Sequence, residues 1–355
     1  MDGGVRGRRV CNWRSFLWYD ICMALSNSAI NKIGDIVRRE KHDANYDAAV
    51  ETLNKWREAH GEVMDKYFDK CVELGKKIDR KNIIVAQRLK RLPTIIDKLN
   101  RFESMRLSSM QDIAGVRVIV NDMRQLQRIE KIIRNWKNLR SEKDYINNPK
   151  DSGYRGKHFI FKDDGMFIEI QLRTQLEHIW ATSVETVDVF LGSSMKTRVE
   201  KENYWQEFFH QVSATFALSE ECKPLAKYDG QSLSEICEAL DKNITEHEIY
   251  QSLSAMSVAN FVTENEKVKK AYYVVLNLDF KNKTCFISGY KESDYPKAVE
   301  EYRRLEKNIR PRHSIVLVSV SDIKRLKEAY PNYFIDIGYF AGILKFMLEK
   351  YNKNK

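Results

Sequence analysis

Ile168-Glu169-Ile170-Gln171-Leu172-Arg173-Thr174 alternates strictly between apolar and polar side chains. A period of two puts Glu169, Gln171 and Arg173 on one face of a β-strand and Ile168, Ile170 and Leu172 on the other. Three polar groups in line on a strand point to a site; a solvent-facing edge strand is the competing structural reading. Working outward, Asp163-Asp164-Gly165 reads as a tight turn joining this strand to Lys157–Phe161. Further back, Ala114-Gly115-Val116-Arg117-Val118-Ile119-Val120 is a β-branched run suited to a buried strand. Leu126–Trp136 reads as a helix, and Lys143–Gly156, rich in Lys, Asn, Pro and Gly, reads as a loop.

Helical periodicity flanks this centre. It runs from Ser26 to about Lys81, with a long second stretch from Ala44 to Ile78, and returns from Gln175 to Ala226. The basic group Arg88, Lys90, Arg91 and Lys98 also falls on a stretch read as helical. A composition break at Lys227–Ser234 suggests a linker. Beyond it come a hairpin around Asn282 (Tyr272–Phe280 and Thr284–Gly289), a helix Pro296–Ile309, a strand Ser314–Val320, a short helix capped by Ser321, and a last helix Tyr339–Tyr351. The expected class is α/β (α+β), a mixed sheet flanked by helices with a smaller C-terminal α+β domain. The expected boundaries are an N-terminal extension 1–25, a main domain 26–226 and the C-terminal domain 227–355. Residues 1–22 resemble a signal peptide only loosely, because Asp20 interrupts the apolar stretch, and a native start at Met23 is expected.

The bulk properties restrict the function classes. The formal net charge of +10 favours phosphate-bearing partners. Six scattered cysteines form no Cys-x-x-Cys pair, which excludes a zinc ribbon and gives no disulfide framework, so reduced thiols in a cytoplasmic setting are expected. No apolar run is long enough to span a membrane. His42-Asp43 has no second His or acidic pair at suitable spacing and reads as a solvated helix flank. Tyr330-Pro331-Asn332-Tyr333-Phe334 reads as local core or turn.

Four clusters carry chemistry. The basic group at 88–98 suits a polyphosphate. Asp112, just before the buried strand, is well placed to hold Mg²⁺ against phosphate oxygens. The loop from Lys143 through Asp144, Lys150 and Tyr154 to His158 combines cations, an aromatic ring and glycines. The fourth cluster is the strand of Glu169, Gln171 and Arg173.

Together these motifs resemble the synthetase domain of the RelA/SpoT alarmone family, over about residues 85 to 190. The matching pieces are Arg88-x-Lys90, Asp112-Ile-Ala-Gly-Val-Arg117, Lys143-Asp144-Tyr-Ile, Pro149-Lys150, Gly153-Tyr154, His158 and Glu169-Ile-Gln-Leu-Arg-Thr174. The resemblance implies a nucleotidyltransferase-like sheet and Mg²⁺-dependent transfer of pyrophosphate from ATP to a ribose 3′-hydroxyl. It implies that Arg88 and Arg117 sandwich adenine, that Lys90 and Lys98 neutralise the ATP phosphates, and that Asp112 and Glu169 hold the metal. Glu169 would also accept the acceptor's proton, with Gln171 and Arg173 ordering the site around it. Lys143, Asp144, Lys150 and His158 fall to the acceptor side, with Tyr154 stacking on its base.

Ser141, Ser152 and Gly156 depart from the family pattern, all on the acceptor side. No hydrolase pattern precedes the synthetase stretch, which sets the expectation of a synthetase without a paired hydrolase. Three functions follow as expectations: (p)ppGpp synthesis from ATP and GDP or GTP; a toxin-type activity on the tRNA 3′ end or making (p)ppApp; and a non-catalytic nucleotide-binding regulator. The C-terminal region is expected to regulate, to bind a partner or to support a homo-oligomer.

Overall fold

The computed structural model describes residues 25–39, 44–191, 203–256, 260–262, 271–279, 282, 284–308, 313–320, 326–330 and 337–352. The elements in chain order begin with α1 (Asn27–Arg38), α2 (Ala44–Asp79), β1 (Ile84–Leu89), α3 (Leu92–Arg101), β2 (Ala114–Val120), α4 (Met123–Ile133) and β3 (Leu139–Asp144). They continue with β4 (Lys157–Asp163), β5 (Met166–Thr174), α5 (Gln175–Leu191), α6 (Asn203–Ser219), α7 (Leu233–Glu246) and α8 (Ile249–Met256). The last are β6 (Asn260–Val262), β7 (Tyr273–Asp279), β8 (Thr284–Tyr290), α9 (Tyr295–Lys307), β9 (His313–Val320), the single turn α10 (Leu326–Ala329) and α11 (Gly338–Asn352).

The described strands form one nine-stranded sheet in the order β3-β4-β5-β2-β1-β9-β7-β8-β6. β2 and β5 run parallel, as do β6 and β8, and the other neighbours are antiparallel. The β4–β5 hairpin closes on Asp164 and Gly165, with φ of 48° and 78°. Two consecutive positive values are the mark of a type I′ turn, whose twist matches that of the strands it joins. The alternation in β5 is as expected: Ile168, Ile170 and Leu172 are fully buried with Ala114, Val116 and Val118 of β2 beneath α2 and α4. Tyr67 of α2 packs on Phe161 of β4 with ring centroids 4.8 Å apart. The opposite face of β2 and β5 carries the polar row and is flanked by α5.

Two sequence expectations need correction. Arg88 lies on strand β1, not on a helix; only Lys98 of that basic group is helical, on α3. The apolar run Ile83–Ala86 is buried and pairs with β2 across its length, while Pro93 in the first turn of α3 marks where helix starts. Lys143 and Asp144 end a strand rather than begin a loop. β3 is a sheet edge whose residues are largely exposed, so it lacks the apolar alternation that reveals a strand.

The stretch read as helix from 175 to 226 contains α5 and α6, with 192–202 outside the described residues. Helices α7 and α8 follow just beyond the linker read at Lys227–Ser234, in a stretch to which sequence reading assigned no element. Met23, His42-Asp43, Ser321 and Pro331–Phe334 also lie outside the described residues. The sheet itself runs across the boundary expected at 227, because β1 pairs with β9 through Ala86–Val320, Gln87–Ser319 and Arg88–Val318.

Candidate active site

Strand register assembles the site. Gly115 stands between Arg88 on one side and Glu169 on the other. Arg117 is paired with Gln171, Gln171 with His158, and His158 with Lys143. Paired residues share a face of the sheet, so these rows converge on one surface. A cavity of about 100 Å³ opens there, lined among others by Arg88, Lys90, Asp112, Arg117, Glu169 and Gln171. Six residues singled out from sequence thus meet in one cavity. Lys98 is tied to it through Asp112.

Asp112 is bridged by two lysines, with Lys90 Nζ 3.0 Å from Oδ2 and Lys98 Nζ 2.9 Å from Oδ1. Burial disfavours the Asp112 charge, but the two ammonium groups outweigh it and lower its pKa. Burial also pulls the Lys90 ammonium below the ordinary lysine value, against the pull of Asp112.

Glu169 sits at the end of a closed hydrogen-bonded ring. Arg173 Nη2 donates to the Tyr154 hydroxyl at 2.9 Å and to Gln171 Oε1 at 3.0 Å. Tyr154 Oη lies 2.5 Å from His158 Nε2, and His158 Nδ1 lies 2.8 Å from Glu169 Oε1. Gln171 Nε2 donates to Glu169 Oε2 at 2.7 Å. Every link is satisfied when the Tyr154 hydroxyl donates to Nε2 and the Nδ1–H of His158 donates to Glu169. Arg173 therefore starts two donor chains that end on the two oxygens of one carboxylate. Burial raises the Glu169 pKa, yet the His158 and Gln171 bonds and the Arg173 charge prevail and lower it to about 2. Gly156, at φ +141°, makes room for this ring: a Cβ there would stand 3.2 Å from Arg173 Cγ and 3.3 Å from the Tyr154 hydroxyl.

The arginines are crowded. Burial, followed by the charges of Arg173 and Arg88, lowers the Arg117 pKa to about 10. Arg117 Nε and the Nε and Nη1 of Arg173 are buried with no hydrogen-bond partner among the described residues. Buried, unpartnered guanidinium nitrogens are costly unless an anion or a flat π-system is brought to them. Glu185 of α5 is close enough to Arg88, Arg117 and Arg173 for their charges to overcome its burial and lower its pKa. Nothing in the sequence around Glu185 signals that role. Tyr330 also lines the cavity, with its hydroxyl donating to Gln87 O at 2.9 Å. Sequence reading took it for local core, and no local pattern links it to a strand 243 residues away.

In the part of the site expected to face an acceptor, Lys143 and Lys150 are exposed. Lys150 Nζ stands 4.5 Å from the Tyr145 ring and 4.9 Å from the Tyr154 ring, and Arg173 lies 5.0 Å from Tyr154. Asp144 holds the loop: it accepts from Lys157 Nζ, from the backbone N–H of Ile146 and Asn147, and from Asn147 Nδ2. Buried Arg155, absent from the sequence-based set, ties the same loop to Lys223 O at 2.6 Å and to Ile146 O at 2.8 Å.

Below the ring, Thr174 joins two carboxylates: its N–H donates to Glu177 Oε2 at 2.9 Å and its hydroxyl to Glu220 Oε2 at 3.1 Å. Burial raises Glu177 to about 7, and burial with the Glu177 charge raises Glu220 to about 8. The folded state therefore binds protons that the unfolded chain has released above the ordinary carboxylate range. Stability from this pair is complete below pH ~4.5 and is lost as pH rises through ~8. Glu220→Gln, which keeps an acceptor for Thr174, is expected to stabilise the protein at pH 8.5 by roughly 3–5 kcal/mol and to make little difference near pH 5. Denaturant titrations at the two pH values check this; equal shifts at both would contradict it.

A mixed sheet with clustered cations and two carboxylates around one cavity defines an α/β protein with a cation-rich candidate site. Residues 87–187 match the family model described as the region found in RelA / SpoT proteins. Among curated relatives, the GTP pyrophosphokinase YwaC of Bacillus subtilis is 31% identical over 131 residues, covering 32% of this chain and 62% of that protein. The GTP pyrophosphokinase YjbM of the same organism is 26% identical over 128 residues, covering 33% and 61%. The chain thus spans about three fifths of the length of these two relatives. Among solved structures, small alarmone synthetase 2 of Bacillus subtilis aligns with a TM-score of 0.40 and 23% identity over 46% of this chain and 92% of that one.

Proposed function

We propose that the chain is a pyrophosphokinase that moves the β,γ-pyrophosphate of ATP onto the 3′-hydroxyl of GDP or GTP, making (p)ppGpp. The observation that carries this reading is the single cavity shared by Arg88, Lys90, Asp112, Arg117, Glu169 and Gln171. The names of the matched curated relatives support it.

In this reading the flat guanidinium groups of Arg88 and Arg117 take the adenine, and Lys90 and Lys98 turn from Asp112 to the phosphates. That exchange frees the Asp112 oxygens. Asp112 and Glu169 would then hold Mg²⁺; two hard oxygen ligands fit an ion that keeps its remaining positions for phosphate and water. The ion's contribution is charge neutralisation on the transferring group.

The ring keeps Glu169 anionic and oriented. Held near a pKa of 2, it is a better cation ligand than a base. Its oxygen is therefore expected to accept the ribose proton only as the hydroxyl becomes acidic in the transition state. Bond making is otherwise a matter of alignment and charge, which the cations of the cavity supply.

A second reading, transfer to the 3′ end of tRNA, is favoured by the exposed Lys143 and Lys150 beside Tyr145 and by the net charge of +10. The test uses ATP labelled on its β- and γ-phosphates with Mg²⁺ and, separately, GDP, GTP, AMP, ATP and bulk tRNA. Label on a guanosine nucleotide is the expected result. Label on tRNA alone supports the second reading, and label on AMP or ATP makes the product an adenosine alarmone. No label on any acceptor overturns transfer and leaves a nucleotide-binding regulator. Omitting Mg²⁺ from the productive reaction is expected to stop it.

A further inference from the structure

The segment Lys90-Arg91-Leu92 connects the cavity strand β1 to α3 and so sets the position of both Lys90 and Lys98. Its local sequence is poorly equipped for that task. Arg91 occupies the N-cap of α3 without a side-chain capping bond. The first N–H groups of a helix need acceptors from elsewhere. The acceptor comes from the far end of the chain: Glu306 Oε1, on α9, lies 3.1 Å from Leu92 N, across 214 residues.

Glu306 is the centre of a buried node. Its Oε2 pairs with Arg57 Nη2 at 3.1 Å, and its Oε1 accepts from the Tyr302 hydroxyl at 2.5 Å. Arg57, 1% exposed on α2, also directs Nη1 to Lys90 O at 3.3 Å. Arg91 donates to the hydroxyl of Ser314 at the start of β9. All three residues of the connector are therefore pinned by Arg57 or by groups beyond residue 300. An anion at the start of a helix also complements its dipole. A second bridge, Arg303 to Glu58 at 2.5 and 2.6 Å, fastens α9 to α2 without touching the connector.

We propose that Glu306 is a positioning residue for the donor-phosphate lysines: it caps α3 from the C-terminal part of the chain and holds Lys90 and Lys98 at the cavity. This rests on the reading of the cavity as an ATP site, and it makes α9 a component of that site. The carboxylate meets a backbone N–H, a guanidinium and a phenol at once; an amide can still cap Leu92 but turns a donor toward Arg57.

The test uses the full chain with two readouts, ATP affinity by calorimetry and amide hydrogen exchange of residues 90–101 in the unliganded protein. The key variant is Arg57→Met with Glu306→Leu, which removes both buried charges together and so avoids leaving one unpaired. Expected are faster exchange across 90–101, unchanged exchange across 114–120, and ATP binding weakened roughly tenfold, the loss of one charged hydrogen bond. Glu306→Gln, which retains an acceptor, is expected to recover most of the protection, and Arg303→Ala to leave both readouts at the wild-type level. Wild-type exchange and affinity in the double variant would overturn the proposal. So would equal losses in Arg303→Ala, which would assign the effect to docking of α9 alone. If the wild-type chain binds no ATP, the proposed function fails, and the exchange of 90–101 still decides whether Glu306 positions the connector.

Discussion

Glu169→Gln is expected to lower the rate of pyrophosphate transfer by about a thousandfold or more, with ATP affinity changed far less. The amide has one acceptor where the carboxylate has two. Its NH₂ must face either His158 Nδ1–H or Gln171 Nε2–H, both of which donate to Glu169 in the native ring. One arm of the ring then breaks, and the negative charge that both arms orient is gone. The same geometry predicts a pH profile: with its pKa near 2, Glu169 contributes no acid limb to activity above pH ~3. Steady-state rates for the labelled-ATP reaction measure both effects. A variant within tenfold of wild type would rule Glu169 out as the centre of the chemistry.

Gly115→Leu is expected to weaken ATP binding at least about a hundredfold while leaving the melting temperature within a few degrees. Gly115 is the floor of the cavity, flanked by Arg88 and Glu169. A Cβ built there meets only Arg88 O and Glu169 O, each at 3.9 Å, an ordinary contact distance. Its backbone conformation also suits a side chain, since its φ lies outside the left-handed region. The added isobutyl group would occupy space the fold leaves open and the nucleotide needs, and a strand loses nothing locally when glycine is replaced. Calorimetric titration with ATP and a thermal melt test the two halves separately. Tight binding in the variant would show that the nucleotide lies elsewhere.

Much of the catalytic face was legible because its signals are local. The alternation from Ile168 to Thr174, the β-branched run of β2 and the turn at Asp164-Gly165 each declare a strand or its end within a few residues. Once those strands are paired, the polar positions 117, 169 and 171 must converge. What escaped notice depends on distance or exposure. β3 carries no apolar code because it is a sheet edge. Arg88 was misassigned because basic residues crowd the short gap between a strand and a helix, where periodicity is weakest. Glu185, Tyr330, Arg155 and Glu306 act through partners that only the folded chain brings near, and a lone charged or aromatic residue in a helical pattern looks like any solvated or packed one. The donor chains around Glu169 were invisible for a further reason: residue types suggest contacts, but only geometry fixes the direction of each hydrogen bond.

The seam between β1 and β9 has a consequence for the order in which the protein comes into being. Gln87 and Arg88 leave the ribosome more than two hundred residues before Val318 and Ser319, their neighbours across that seam. At typical synthesis rates of about 5–20 residues per second, the interval is on the order of 10–50 s. Throughout it the strand bearing Arg88 has one bare edge, and Leu92 lacks the carboxylate that caps its helix. The nascent chain can pair its central strands early, but the cavity beside Arg88 is completed only after Val320 has been made. Whatever chemistry the cavity performs would thus be withheld over that whole stretch of synthesis.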